Sequence, residues 1–244
     1  MASAKDIIVK PIKSKIANDF VRKYHYSGKV VPNSQLHFGC FLNGVMGGVM
    51  QFGPSINKLG NINLVANTGW NDFIELNRMA FSDLLPRNSE SRCISIAIRL
   101  IKKHYPNIKW IISFADGCQC GDGTIYRASG FKLVGITQNT ALRIDPKTNE
   151  PIHIIQAHHL KISSKTFRSW KAIKGNMLKY IYFIDKSKEK DLTVPILPFS
   201  KIKEMGACMY KGKKINASVN SESTNQCVNG GASPTHSLQE VINA

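Results

Sequence analysis

No stretch of this 244-residue chain comes near the about 20 consecutive apolar residues that a membrane-spanning helix needs. The opening residues Met1-Ala2-Ser3-Ala4-Lys5-Asp6 lack the apolar core of a secretory signal. These two absences predict a cytoplasmic protein with no membrane partner. Cysteine is scarce, six in all, and in that compartment the thiols are expected to be reduced. Only Cys118 and Cys120 stand close together, as C-x-C. Two C-x-x-C arms are missing, which excludes the usual zinc framework. A metal site joining this pair to Cys40 and Cys93 is therefore a weaker reading than small buried or loop thiols. Acid is the most telling shortage: 16 Asp and Glu face 33 Lys and Arg, a net charge of +17. Beyond Asn216 there is no Lys or Arg, and only Glu222 and Glu240 are acidic, so all 33 basic residues oppose 14 acids in the preceding part. A basic folded body is the footprint of a polyanion binder, and nucleic acid is the leading partner. An acidic membrane surface fits less well, because no basic amphipathic helix carries an exposed aromatic face.

An apolar fraction of 43% supplies a core. Residues 7–12 read as a strand. Residues 13–24 read as a helix with Ile16, Ala17, Phe20, Val21 and Tyr24 on one stripe, Ser14 as its N-cap and Gly28 as a stop. Two apolar runs, 36–42 and 45–52, flank Asn43-Gly44, the strongest short hairpin signal. Residues 54–72 are polar and read as a loop, and 73–81 as a strand. Residues 89–103 form a long helix whose apolar breadth predicts burial against a sheet. Strands follow at 109–114 and 131–135, and 140–144 is expected to extend the sheet. The alternation of strands and helices predicts an α/β fold, a mixed central sheet with helices on both faces. The domain is expected to span 1–150, with a basic extension over 151–214 packed on it. That extension holds 14 Lys or Arg and 4 acids. The tail 215–244, rich in Ser, Asn and Gly, is expected to be disordered. There is no internal repeat.

The residues most suited to chemistry follow the apolar run 110–114. Phe114-Ala115-Asp116-Gly117-Cys118 places a carboxylate at a strand end, where loops collect reactive groups held by a rigid sheet. An Asp before Gly is also a common turn starter. Arg78 lies inside the apolar strand 73–81. Arg is rarely buried unless paired, so it either forms an ion pair with Glu75 or Asp116 or uses its planar fork on a substrate. His25-Tyr26 sits at a helix end, where a histidine can simply cap the carbonyls. His153, His158 and His159 read as surface histidines of a basic stretch.

The segment Ile125-Tyr126-Arg127-Ala128-Ser129-Gly130-Phe131 resembles the last helix of the GNAT acyltransferase fold, whose tyrosine often protonates the leaving thiolate of coenzyme A. Further segments resemble the phage Mom DNA-modification family, a divergent GNAT-like branch. They are Tyr24-His25-Tyr26, Glu75-Leu76-Asn77-Arg78-Met79, Pro86-Arg87-Asn88-Ser89-Glu90-Ser91-Arg92, Ser113-Phe114-Ala115-Asp116, Gly123-Thr124-Ile125-Tyr126 and Tyr180-Ile181-Tyr182-Phe183. They run in order across roughly residues 5 to 200, more than a lone motif supplies.

The resemblance implies conversion of adenine N6 in double-stranded DNA to N6-carbamoylmethyl-adenine, protecting phage DNA from restriction in the host cytoplasm. It implies His25, Tyr26, Arg78, Asp116 and Tyr126 as catalytic residues, with His25, Tyr26 and Asp116 as a candidate set of N/O ligands that would suit iron. By fold it implies acetyl-CoA, held by Met79, Phe81, Arg87, Ser89 and Arg92. Both glycines of the GNAT phosphate loop are absent here, replaced by Glu90 and Arg92. The basic extension would contact DNA phosphates through Arg168, Lys171 and Lys174, and its aromatics, Trp170 among them, would stack on an extruded base. A protein or small-amine N-acetyltransferase is an alternative, but it gives no reason for the charge. A non-catalytic DNA-binding protein is another, and it leaves Arg78 and Asp116 unexplained.

Overall fold

The computed structural model describes residues 3–118, 121–204, 209–210 and 213–214. Cys120 and the tail expected to be disordered lie outside these residues. Among the described residues, no helix is long and apolar enough to cross a membrane.

The chain order is β1 (Ile8–Pro11), α1 (Ser14–Tyr24), β2 (Leu36–Leu42), β3 (Val45–Gly53), α2 (Lys58–Ile62), β4 (Phe73–Phe81), α3 (Ser89–His104), β5 (Trp110–Asp116), α4 (Thr124–Ala128) and β6 (Lys132–Gln138). It continues with β7 (Leu142–Ile144), β8 (Pro151–His153), α5 (Ile154–His159), α6 (Ser164–Ser169), β9 (Lys171–Ala172), β10 (Asn176–Phe183) and α7 (Ser200–Glu204). Seven strands form the main sheet in the order β1-β2-β3-β4-β5-β10-β6. Every neighbouring pair is antiparallel except β4 with β5.

Local chemistry accounts for the elements. Asn43 and Gly44 both have positive φ, 50° and 82°, as a tight turn between β2 and β3 requires. In α1 the buried residues Ala17, Phe20 and Val21 follow helical spacing. The N-cap is Lys13, without a side-chain bond, and the expected cap Ser14 is the first helical residue instead. The helix ends at Tyr24, and Gly28, with φ 60°, closes the turn beyond it. In α3 the buried stripe is Cys93, Ile94, Ala97, Ile98 and Ile101. Lys102, Lys103 and His104 crowd its last turn, where the helix dipole favours cations. The expected loop 54–72 contains the short helix α2, capped by the Asn57 side chain accepting from the Gly60 amide.

Two sequence expectations fail on topology. Residues 140–144 do not extend the main sheet; β7 pairs with β8 and β9 in a separate three-stranded sheet. The stretch after residue 150 is not an appendage either, because β10 lies between β5 and β6 in the main sheet. The chain leaves that sheet after β6, builds the small sheet with α5 and α6 around Ile152, Ala157 and Phe167, and returns as β10. Buried Asn139 clamps this excursion. Its Nδ2 donates to the carbonyls of Leu142 and Ile173, its Oδ1 accepts from the Ala141 and Leu142 amides, and its own amide donates to Gly175. Periodicity marks a strand but does not say which sheet it joins.

Side chains alternate across a sheet, and the two faces differ. On one face a continuous core joins Met50, Phe52, Ile74 and Leu76 to Ile94, Ala97 and Ile101 of α3. On the other, Ala17, Phe20 and Val21 of α1 pack on Val49 and Ala80. A second group on that face stacks Phe73 on Trp110, 4.2 Å apart and nearly parallel, with Ile112, Ile181 and Phe183.

Candidate functional site

The strand β4 carries both apolar groups of the α1 face: Phe73 belongs to one and Ala80 to the other. Between them lie Glu75 and Arg78. They share a face only because of a β-bulge. Phe52 pairs with Leu76 and Gln51 with Arg78, so Asn77 is the extra residue. The bulge shifts the alternation: Ile74, Leu76, Met79 and Phe81 all pack toward α3, leaving Phe73, Glu75, Arg78 and Ala80 toward α1. Without it, Glu75 and Arg78, three residues apart, would point to opposite faces.

Register continues the polar row across the sheet. His37 pairs with Gln51 and Gln51 with Arg78. Gln51 is fully buried, and its Nε2 lies 2.9 Å from Asn18 Oδ1 and 3.0 Å from His37 Nδ1. Alternation also places Asp116 on this face, because Ile112 and Phe114 of β5 pack there. The parallel pairing of β4 with β5 ends at Glu75 and Ile112. Beyond it the strands are linked by the Ser113 hydroxyl donating to the Leu76 carbonyl. Arg78 and Asp116 thus lie past the paired segment, on strands that have parted.

Arg78 spends its fork on backbone: Nε donates to Lys29 O at 2.9 Å and Nη1 to Asn77 O at 2.8 Å. Its charge acts on Glu75 and on His25. Glu75 is buried beside Ser55, Asn77 and the Ile56 amide, and burial pushes its carboxyl up. His25 Nδ1 lies 2.8 Å from the Ser27 hydroxyl and accepts from the Ser27 amide at 3.2 Å. Accepting an N–H at Nδ1 places the ring proton on Nε2. Burial, then the Arg78 guanidinium, depresses the imidazole to about 3. His25 is therefore neutral and presents a donor at Nε2. Tyr26 stacks on it, ring centroids 4.2 Å apart, with 45% of the tyrosine exposed. Asp116 is buried and its Oδ1 accepts from the Cys118 amide at 2.9 Å.

Three groups join this site that the sequence reading passed over. Lys29 holds Arg78 through its carbonyl, and its Nζ contacts Gln156 Oε1 on α5. His153, expected at the surface, is partly buried, and both Asp116 and Lys29 act on its ring charge. Glu75 was seen only as a partner for Arg78. The legible signal was an acid inside an apolar strand.

The other expected residues lie elsewhere. Tyr126 packs on the α3 face, its ring 5.5 Å from Phe131 and 5.2 Å from Tyr180. Met79 and Phe81 are on that face too. At the start of α3, the Ser89 hydroxyl turns back to the Pro86 carbonyl and Arg92 Nη2 donates to Lys5 O at 3.1 Å. Glu90 is buried, its carboxyl pushed up by that burial, close enough to Cys40 to act on its thiol. Two of the side chains expected to hold phosphate are thus committed to the protein's own carbonyls. Among the described residues, no group of three or more His, Cys, Asp or Glu is placed to hold a metal ion, and His25 Nδ1 is already engaged. Cys40 and Cys93 meet as buried thiols.

Arg168, Lys171 and Lys174 are exposed, as phosphate contacts require. The aromatics beside them turn inward. Phe167 is buried, Trp170 packs on it at 5.7 Å, and Tyr180 and Phe183 belong to the main cores. Phe167, Tyr180 and Phe183 are core residues, which corrects the expectation that they stack on a base, while Trp170 is partly buried against Phe167.

Superposition on solved structures gives likenesses too low to decide fold membership. The ribosomal-protein-S18-alanine N-acetyltransferase of Escherichia coli aligns with a TM-score of 0.43 at 10% identity, over 73% of this chain and 94% of that one. A Bacillus subtilis acetyltransferase solved in complex with CoA gives 0.43 at 11% identity, over 72% and 97%. Sequence comparison is more decisive. The methylcarbamoylase mom of Escherichia phage Mu is 34% identical over 201 residues, 79% of this chain and 82% of that protein. The Mom protein family matches residues 6–201, a span that includes every element from β1 to β10 and each residue of the polar gap. The chain belongs to the Mom protein family.

Proposed function

We propose that this chain is a DNA methylcarbamoylase, converting adenine N6 in double-stranded DNA to N6-carbamoylmethyl-adenine and so shielding phage DNA from restriction. The observation that carries the reading is the 34% identity to the phage Mu methylcarbamoylase across 82% of that protein. The net charge of +17 supports a polyanionic substrate.

The adenine N6 is engaged in pairing inside the duplex, so the base must leave the stack to react. The polar gap on the α1 face is the pocket this reading assigns to it. The exocyclic amine is a weak nucleophile and must lose a proton as the new N–C bond forms. Asp116 is the base in this scheme, at the end of a strand and oriented by the Cys118 amide. Neutral His25 donates from Nε2 rather than accepting, and holds the base or the incoming carbonyl in place. Arg78, already bonded to two carbonyls, supplies fixed positive charge for developing negative charge. Tyr26, stacked on His25 and exposed, offers a ring and a hydroxyl at the pocket edge. Tyr126, across the sheet, belongs on the side of the carbon donor. Arg168, Lys171 and Lys174 bind phosphates without reading sequence.

Nucleoside mass spectrometry of plasmid DNA from cells expressing the chain tests this. The expected result is deoxyadenosine carrying the carbamoylmethyl mass. Unmodified adenine in the presence of abundant folded protein would overturn the reading.

A further inference from the structure

Two adjacent isoleucines, Ile154 and Ile155, begin α5 and are 45% and 47% exposed. Single exposed apolar side chains are ordinary. A pair at this place is not, for three reasons.

The first is position. His153, immediately before the pair, lies near enough to Asp116 to feel its charge. Gln156, immediately after it, contacts Lys29, whose carbonyl holds Arg78. At about 1.5 Å of rise per helical residue, both isoleucines lie within one turn of two groups at the rim of the polar gap. The second reason is rigidity. The Ile154 amide donates to Ala141 O at 2.8 Å and the Ile155 amide to His153 Nδ1 at 3.2 Å. Behind them Ala157 packs with Ile152 and Phe167, and Asn139 clamps both ends of the excursion. The third is charge. Residues 151–174 contain five Lys or Arg and no Asp or Glu. An apolar pair on a basic segment complements a duplex, with phosphates outside and a stack of bases within.

We propose that Ile154 and Ile155 are an apolar wedge that enters the DNA stack beside the target adenine and fills the space it vacates. The inference rests on the reading of this chain as an adenine-modifying enzyme. It adds the element that separates the base from its neighbours, whereas the residues of the polar gap receive it. Apolar side chains inserted between base steps offset lost stacking in this way, and the cost of extrusion is lowest where the stack is already broken.

The test compares the full-length wild-type chain with Ile154→Ala/Ile155→Ala and Ile154→Leu/Ile155→Leu. One readout is carbamoylmethyl-adenine in cellular DNA. The other is anisotropy-measured affinity for an intact duplex and for the same duplex with one abasic site. The Ala pair is expected to lower modification by at least about tenfold, since unstacking a base step costs more than the free energy that corresponds to one factor of ten, and the Leu pair to restore most of it. Wild-type protein is expected to prefer the abasic duplex, and the Ala pair to lose that preference while keeping the salt dependence of binding. Thermal melting should be unchanged, since both side chains are exposed. Undiminished modification by the Ala pair overturns the wedge, as does an equal loss of affinity for both duplexes. Wild-type protein that prefers the abasic duplex through these isoleucines, yet leaves adenine unmodified, keeps the wedge and sinks the methylcarbamoylase reading.

Discussion

On the α3 side of the main sheet, residues from all seven strands merge with one helix stripe into a single apolar core. On the α1 side the same strands carry two separate cores, with Glu75, Arg78, Gln51 and Asp116 around the space between them. Both faces are equally the product of strand alternation, yet one is a continuous apolar scaffold and the other carries buried polar groups. Burying polar groups costs free energy unless they are bonded, so such a gap persists only where each group is held. Gln51 bridges β2, β3 and α1, and Arg78 bridges β4 and the chain after α1. The scaffold face holds the strands at fixed spacing. The gap face uses that spacing to bring Arg78 near His25 and Glu75.

The sharpest way to break this contrast is Asp116→Asn. Asn keeps an acceptor for the Cys118 amide, so melting should barely change. Modification should fall at least about 100-fold, the lower range for loss of a general base. A variant that melts normally and still modifies DNA well would remove Asp116 from the chemistry. The scaffold face should respond in the opposite manner. Ile94 is fully buried in α3, and Ile94→Ala should cost about 2–5 kcal/mol of stability, measured by denaturant unfolding. The modification per folded molecule should remain close to wild type.

A smaller effect concerns affinity. Replacing Arg168, Lys171 and Lys174 by Ala should weaken DNA binding across all sequences. It should also flatten the plot of log affinity against log salt by about one unit per lost phosphate contact. An unchanged slope would place the DNA on another surface.

The smallest effects are in pH dependence. Burial raises the Glu90 carboxyl above its usual 4.5. Its charged form is disfavoured in the folded state, so the penalty is present above the raised value and vanishes below 4.5, where both states are protonated. Glu90→Gln should therefore melt higher than wild type at neutral pH, and the gain should disappear as pH falls through that window. His25 has the reverse sense for acid. Its folded value is about 3 against 6.5 for the free ring, so only the unfolded chain takes up a proton between those limits. Stability should fall with acidification across that range, and His25→Gln should fall less steeply. Parallel curves would mean that the ring is not buried as described.

Much of the frame was legible from residue order. The Asn43-Gly44 hairpin, β4 over residues 73–81 and α3 from Ser89 announce themselves because turn chemistry and periodicity are local properties. Asp116 at a strand end and Arg78 within an apolar strand were visible for the same reason: each is the wrong residue for its surroundings. The bulge at Asn77 was not visible, since it depends on how β3 pairs with β4. Nor was the neutral state of His25, which follows from burial and from Arg78 brought near it. The aromatics 167, 180 and 183 misled because their interleaving with lysine gives no hint of which way each ring turns; the structure buries them and leaves the charge outside.

By itself, then, the sequence determined the family, the basic character, the elements of the main sheet up to β6 and the candidate side chains for the site. All of these rest on composition, local propensity or ordered motifs. Only the tertiary structure decided that β10 enters the middle of the sheet and that residues 139–175 fold as a clamped excursion. It alone placed Tyr126 across the sheet from His25, Arg78 and Asp116, and Ile154 and Ile155 at the rim of the gap. The physical reason is common to these cases. Pairing partners, bulges and burial arise from contacts between residues far apart in the chain, and local patterns carry no record of them.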